Sequence, residues 1–197
     1  MKNFCLIFIV MFSIIKLSYA NSVIPITNFD SSQYLGTWYE IARLPNNFEN
    51  NCSIPIFAKY SINPDNSNQL IVVNQCNNID QKPDIAYGMA YFVESSNIGK
   101  LEVTFLPRWL RWLPFGYGDY WIISTDYKNV AVIASPDHKY LWILARSKDI
   151  STDLLKKALI IAEDQGFDIT KLIFNYAKPI TTQPKIEQKT EKIEIKS

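Results

Sequence analysis

From Tyr34 to Arg146 the chain alternates. Val, Ile, Tyr, Phe and Trp recur at every second position in short runs, and Asn, Asp, Pro and Gly cut the runs apart. An apolar period of two sends one face of each run to a core and the other to water, which is the pattern of antiparallel strands. The spacing predicts eight strands, at about 37–44, 56–62, 69–76, 84–93, 99–106, 119–126, 129–135 and 139–146. The turn-rich segments 63–68 (NPDNSN) and 126–129 (DYKN) join neighbours. Eight evenly spaced strands fit an all-β fold, either an antiparallel up-and-down barrel or a sandwich.

One helix is expected after the strands. Ser151 or Thr152 caps it and Gly166 ends it. Leu154, Leu155, Ala158, Leu159, Ile161 and Ala162 make an apolar stripe suited to packing outside a sheet. Residues 171–176 (KLIFNY) read as a short ninth strand, and the domain as 21–177. Residues 178–197 change to Lys, Glu, Gln, Thr and Ile without Phe, Tyr or Trp. They read as a disordered charged tail or as a helix that docks on a partner.

The other end reads as a leader. Met1-Lys2-Asn3 precedes a run that is apolar from Phe4 to Ile15 except for Ser13, and Ser18-Tyr19-Ala20 carries small residues where a signal peptidase reads. Residues 1–20 are therefore expected to be a cleaved secretory signal, with a retained membrane helix as the alternative. The run is short for a stable span. Cys5 lies at the start of the apolar run and no Cys follows the run closely, so no lipid anchor is expected. Without Lys2 and Lys16 the chain carries 18 basic and 19 acidic residues, a net charge of −1. No basic patch suggests nucleic acid. Cys52 and Cys76 remain, and two cysteines in an exported chain suggest one disulfide; two buried free thiols are the alternative.

Strand parity brings distant residues together. In an up-and-down barrel whose first strand starts at the closed end, Trp38 starts that strand, Thr125-Asp126-Tyr127 forms a turn at the same end, and Arg146 ends the eighth strand there. An Arg guanidinium over a Trp ring is favourable by roughly 0.5–2 kcal/mol. A large side chain also fills the open bottom of an eight-stranded barrel. The same parity puts Cys52 and Cys76 at the open rim, 24 positions apart.

Gly36-x-Trp38 in GTWYE, Thr125-Asp126-Tyr127 in STDY and Arg146 in LWILAR resemble the three signature regions of the lipocalins. YLGTWYEIAR, YLWILARS and GFDITKLI are similar to the bacterial lipocalins, the subgroup that includes apolipoprotein D and the plant temperature-induced lipocalins. The resemblance covers about residues 29–176. It implies an eight-stranded barrel with one C-terminal helix packed outside, and a barrel closed by Gly36, Trp38, Thr125, Asp126, Tyr127 and Arg146. It further implies a carrier of a small hydrophobic ligand, a lipid such as a fatty acid or lysophospholipid, with a role in membrane upkeep under stress. The location implied is the periplasm, free or associated with the outer membrane. Several bacterial relatives are lipoproteins, and the missing acceptor Cys departs from them.

In the lipocalin arrangement the face shared with Trp38 and Arg146 looks inward. Alternation then places Glu40 and Ala42, Ala58 and Tyr60, Gly88, Ala90 and Phe92, Leu101, Val103 and Phe105, and Tyr140 and Trp142 on the inner wall. Small residues among aromatics leave space for a ligand; a filled barrel is the alternative. Glu40 is an acid on an inner face, so it must be protonated, hydrogen-bonded or matched to a head group. Tyr60, Tyr120 and Tyr140 can supply hydroxyls. The segment 107–121 (PRWLRWLPFGYGDYW) lies at the mouth and crowds Trp109, Leu110, Trp112 and Leu113 beside Arg108 and Arg111. It reads as a peripheral membrane contact or ligand-access loop, as a loop folded back over the barrel, or as a homodimer contact in place of a monomer. No metal cluster, phosphate loop or nucleophile elbow appears. His138 reads as a solvated turn residue, and a haem lacks an axial His or Cys inside the barrel. The expectation is a binding protein without a cofactor, not an enzyme. An interaction protein using the Trp-rich loop is the second class.

Overall fold

The computed structural model of the chain describes residues 22–176. The expected leader (1–20) and charged tail (178–197) lie outside the described residues. Among those described, nine strands form one sheet: β1 (Gly36–Arg43), β2 (Ser53–Asn63), β3 (Asn66–Asn77), β4 (Pro83–Phe92), β5 (Lys100–Thr104), β6 (Tyr117–Thr125), β7 (Val130–Ala134), β8 (Leu141–Ala145) and β9 (Ile173–Phe174). Strands β2 to β8 pair antiparallel in chain order, and β1 pairs with both β8 and β2. The first eight strands thus close on themselves and leave no edge unpaired. The short β9 adds to the outside end of β1, with Ala42 opposite Phe174.

Two cores follow from the alternation. Inside the barrel, Trp38, Tyr60, Leu70, Val72, Ala90, Leu101, Ile122, Ile133 and Leu144 pack together with Phe29 and Tyr34. Outside it, Val132, Ala134, Ile143 and Ala145 of β7 and β8 meet Leu155, Ala158, Leu159 and Ala162 of a helix, α2 (Thr152–Asp164). The sheet is apolar on both faces there, which is why VAVIA and LWILA read as unbroken apolar runs. On β2 the outer face meets water, and Lys59 and Ser61 alternate with Ala58 and Tyr60. The Ser151 hydroxyl caps α2 by accepting the Leu154 N–H, and Gly166, at φ +90°, turns the chain away at its end.

A one-turn helix, α1 (Ser31–Tyr34), precedes β1, and the strand pattern did not predict it. Its signal was Asp30-Ser31-Ser32: the Asp30 carboxylate accepts from the Ser32 N–H and hydroxyl and from the Gln33 amide. This turn seats Tyr34 under the barrel, fully buried.

The structure corrects one inner-wall expectation. Along β1, Glu40 faces Leu144 but Ala42 faces Ile143, with Ile41 as an extra residue between them. That bulge reverses the parity beyond it. Ala42 therefore joins Ile41 in the outer core, and Arg43 takes the inward position.

Candidate ligand cavity

The closed end is a column of rings. The Arg146 guanidinium lies over the Trp38 ring at 3.7 Å, Trp38 stacks on Tyr34 at 5.0 Å, and Tyr34 packs on Tyr60 at 5.2 Å. Trp38 is fully buried, and its Nε1–H donates to the Tyr34 carbonyl at 2.8 Å. Arg146 also donates to three backbone carbonyls, of Tyr127, Thr37 and Gln33, at 3.1, 3.1 and 2.9 Å. Gly36 has φ +95°, and a Cβ there would stand 3.3 Å from an Arg146 nitrogen. The backbone turn and the closeness of Arg146 both call for glycine. Asp126 ties the turn after β6 by accepting from the N–H groups of Lys128, Asn129 and Val130. The Thr125 hydroxyl accepts from the Tyr127 N–H, and the Tyr127 hydroxyl accepts from the Asp30 N–H. Trp38, the turn 125–127 and Arg146 thus meet where parity placed them.

Above this floor lies a cavity of 640 Å³, open at the far end. That size is typical of small-molecule sites, which run to about 300–1,000 Å³. Ala58, Tyr60, Val103, Phe105, Tyr120, Tyr140 and Trp142 line it, as does Glu40. Ala90, Phe92 and Leu101 belong instead to the packed floor. Gly88 does not open space: the Phe105 ring lies on it, and a Cβ there would come within 2.8 Å of ring carbons. The pattern missed Phe48, Ile56 and Phe57 on the wall. Phe48 had a signal, as a lone aromatic in the polar loop NNFENN; it packs on Tyr140 at 5.6 Å.

Glu40 is buried and hydrogen-bonded. Its Oε1 accepts from Arg43 Nη1 at 2.9 Å and from Asn175 Nδ2 at 2.8 Å. Arg43, turned inward by the bulge, also lies 2.7 Å from Glu49 Oε2 as an ion pair, without the alignment of a hydrogen bond. Burial pushes the Glu40 carboxyl up to about 8; the Glu49 charge adds to the rise, while Arg43 and Asn175 oppose it. Among the described residues no Lys or Arg lines the cavity itself, whereas Glu49, Asp84 and Asp119 do, toward the mouth.

Cys52 and Cys76 form a disulfide at this rim, with Cα atoms 5.4 Å apart. Closing a loop of that length is worth about 3 kcal/mol in the chain-entropy account. In the mouth loop Trp109 and Trp112 are 72% and 76% exposed, while Leu110 and Leu113 are half-buried. Arg111 Nε donates to the Leu106 carbonyl, and the Tyr117 hydroxyl donates to the Arg111 carbonyl, so the loop is braced. Neither Trp is part of the cavity wall. Among the described residues no group of three His, Cys, Asp or Glu is placed to hold a metal, and no helix is long and apolar enough to cross a membrane. His138 differs from the expected solvated turn residue. It is half-buried, with its ring 4.7 Å from Phe167 and Nε2 at 2.9 Å from the Gln165 carbonyl, and it ties the β7–β8 turn to the end of α2.

A family profile described as a Lipocalin-like domain matches residues 29–177. The chain is 38% identical over 152 residues to "Outer membrane lipoprotein Blc" of Escherichia coli (strain K12), covering 76% of this chain and 80% of that protein. It is 35% identical over 144 residues to "Temperature-induced lipocalin-1" of Arabidopsis thaliana, covering 71% and 75%. Among solved structures, insecticyanin from the tobacco hornworm Manduca sexta matches with a TM-score of 0.61 at 25% identity, covering 81% of this chain and 87% of that one.

Proposed function

The chain belongs to the lipocalin family, and from that premise we propose that it carries or stores a lipid in the bacterial cell envelope, in support of membrane maintenance under stress. The observation that carries this reading is the 640 Å³ cavity with aromatic and aliphatic walls, closed at one end and open at the other. The charge of the wall favours one ligand class. A free fatty acid would bring its carboxylate to Glu49 and Asp84, with Arg43 already held by Glu40 and Glu49. A lysophospholipid with an ammonium in its head group suits the same rim. The relatives' name supports an envelope location.

Native mass spectrometry of the mature protein, followed by organic extraction, tests the proposal. One lysophospholipid per barrel is the expected result. Protein that is isolated empty and takes up neither fatty acids nor lysophospholipids in titration refutes it.

A membrane contact at the mouth is part of the same reading. Phe48, Ile79, Phe105, Trp109, Trp112 and Phe115 are all exposed on loops at the open end. Apolar clusters of this kind are rare on monomer surfaces, and Trp and Arg suit head-group depth. Replacing both Trp109 and Trp112 by Ser is expected to lower partitioning onto phospholipid vesicles by at least about tenfold in a sedimentation assay. Unchanged partitioning would move the loop to the second reading, a protein-interaction surface.

A further inference from the structure

Resting on the carrier reading, we infer that the cavity floor is a separate polar subsite, which takes a neutral oxygen atom at the inner end of the ligand with Tyr120 as its hydrogen-bond donor.

Three tyrosines from distant segments meet at the floor. The hydroxyl of Tyr34 lies 2.8 Å from that of Tyr120, and the Tyr60 hydroxyl donates to Tyr120 at 2.7 Å. Burial holds all three well above the ordinary tyrosine range, so each keeps its proton. Three protons and two hydrogen bonds leave one proton over. If Tyr120 donated to Tyr34, the spare proton would sit on Tyr34, which is fully buried beneath the cavity and has no other acceptor among the described residues. Such a stranded donor costs about 1–3 kcal/mol. If Tyr34 donates instead, both neighbours give to Tyr120, and the spare proton belongs to a residue that lines the cavity. There a ligand can accept it. Accepting two hydrogen bonds also polarises the Tyr120 O–H and makes it a stronger donor.

A second observation points the same way. Asn74 lies on the inner wall, two residues toward the mouth from Val72, which faces Tyr60 across the β2–β3 ladder. Its Oδ1 is buried without a hydrogen-bond partner. A plain alkyl chain filling the cavity would leave both groups unmet. A ligand bearing a hydroxyl at its buried end would accept from Tyr120 and bring the proton that an unmet acceptor such as Asn74 Oδ1 requires. The oxygen is neutral because, among the described residues, no Lys or Arg lines the wall to match a carboxylate.

The test compares dodecylphosphocholine with its 12-hydroxy analogue, which differ only in an oxygen at the chain end, an end that the charged head group at the mouth keeps inward. Dissociation constants are measured by displacement of a fluorescent apolar probe from the wild type, Tyr120→Phe and Tyr34→Phe. Tyr120→Phe is expected to weaken the hydroxylated ligand relative to the plain one by about five- to tenfold. Tyr34→Phe, which leaves the Tyr120 proton free, is expected to change that ratio less than about twofold. An unchanged ratio in Tyr120→Phe overturns the inference. The wild type gives a second readout that needs no folded variant: the carbon-13 resonance of the Tyr120 Cζ is expected to move with the hydroxylated ligand and not with the plain one, and equal shifts would also overturn it. Failure of both ligands to bind the wild type would instead remove the carrier reading on which the inference rests.

Discussion

Replacing Trp38 by Ala is expected to lower the unfolding free energy by about 4 kcal/mol, read from the midpoint and slope of urea denaturation. The indole is fully buried between the Arg146 guanidinium and the Tyr34 ring. Its removal leaves a void that the closed β1–β2–β8 strands have little freedom to collapse. It also leaves the Tyr34 carbonyl without the indole N–H. Arg146→Met tests the other half of the plug. It removes the ring contact and three hydrogen bonds to carbonyls, and is expected to cost about 2–3 kcal/mol. The two residues touch, so the double variant should lose about 0.5–2 kcal/mol less than the sum. A Trp38→Ala loss below about 1 kcal/mol would show that the ring does not seal the floor.

The strands and the floor were legible because both depend on strict alternation. Where β2 to β8 keep their period, a residue's number gives its face and its end of the barrel, and Trp38, Tyr127 and Arg146 could be brought together across more than 100 residues. The bulge at Ile41 was hidden by chemistry. YEIAR has no Gly or Pro to mark an extra residue, and Ile41 and Ala42 are both apolar, so either suits the outer core. The signal that was available lay in Glu40. A buried acid requires a partner, and the nearest base, Arg43, reaches the same face only if a bulge stands between them. Gly88 misled for another reason. Missing bulk can mean room for a ligand or room for a neighbour's ring, and local sequence does not distinguish them; Phe105, from the paired strand edge, fills it. The tyrosine cluster needed Tyr34, which lies before the first strand and is placed by the one-turn helix.

The second large effect is on pH. Glu40 titrates near 4.5 when unfolded and near 8 in the folded barrel, chiefly because it is buried and secondarily because Glu49 stands near. Between those values the folded state binds the proton that the unfolded state has released. Folding stability therefore falls as pH rises through this window, at up to about 1.4 kcal/mol per pH unit from this group alone. Below about 4.5 both states hold the proton and Glu40 adds no slope. Glu40→Gln keeps the shape and an oxygen to accept from Arg43 and Asn175, and it cannot ionise. The variant is expected to match the wild type within about 1 kcal/mol at pH 5 and to exceed it by roughly 3–4 kcal/mol at pH 8. Urea unfolding of both proteins at a series of pH values gives the difference curve, in which titrations common to both cancel. A flat difference would mean that Arg43 holds Glu40 ionised at its ordinary pKa. A difference that favours the wild type as pH rises would mean that the Arg43 ion pair outweighs burial, and the carboxylate, not the neutral acid, would then be the form that the barrel mouth presents to a ligand.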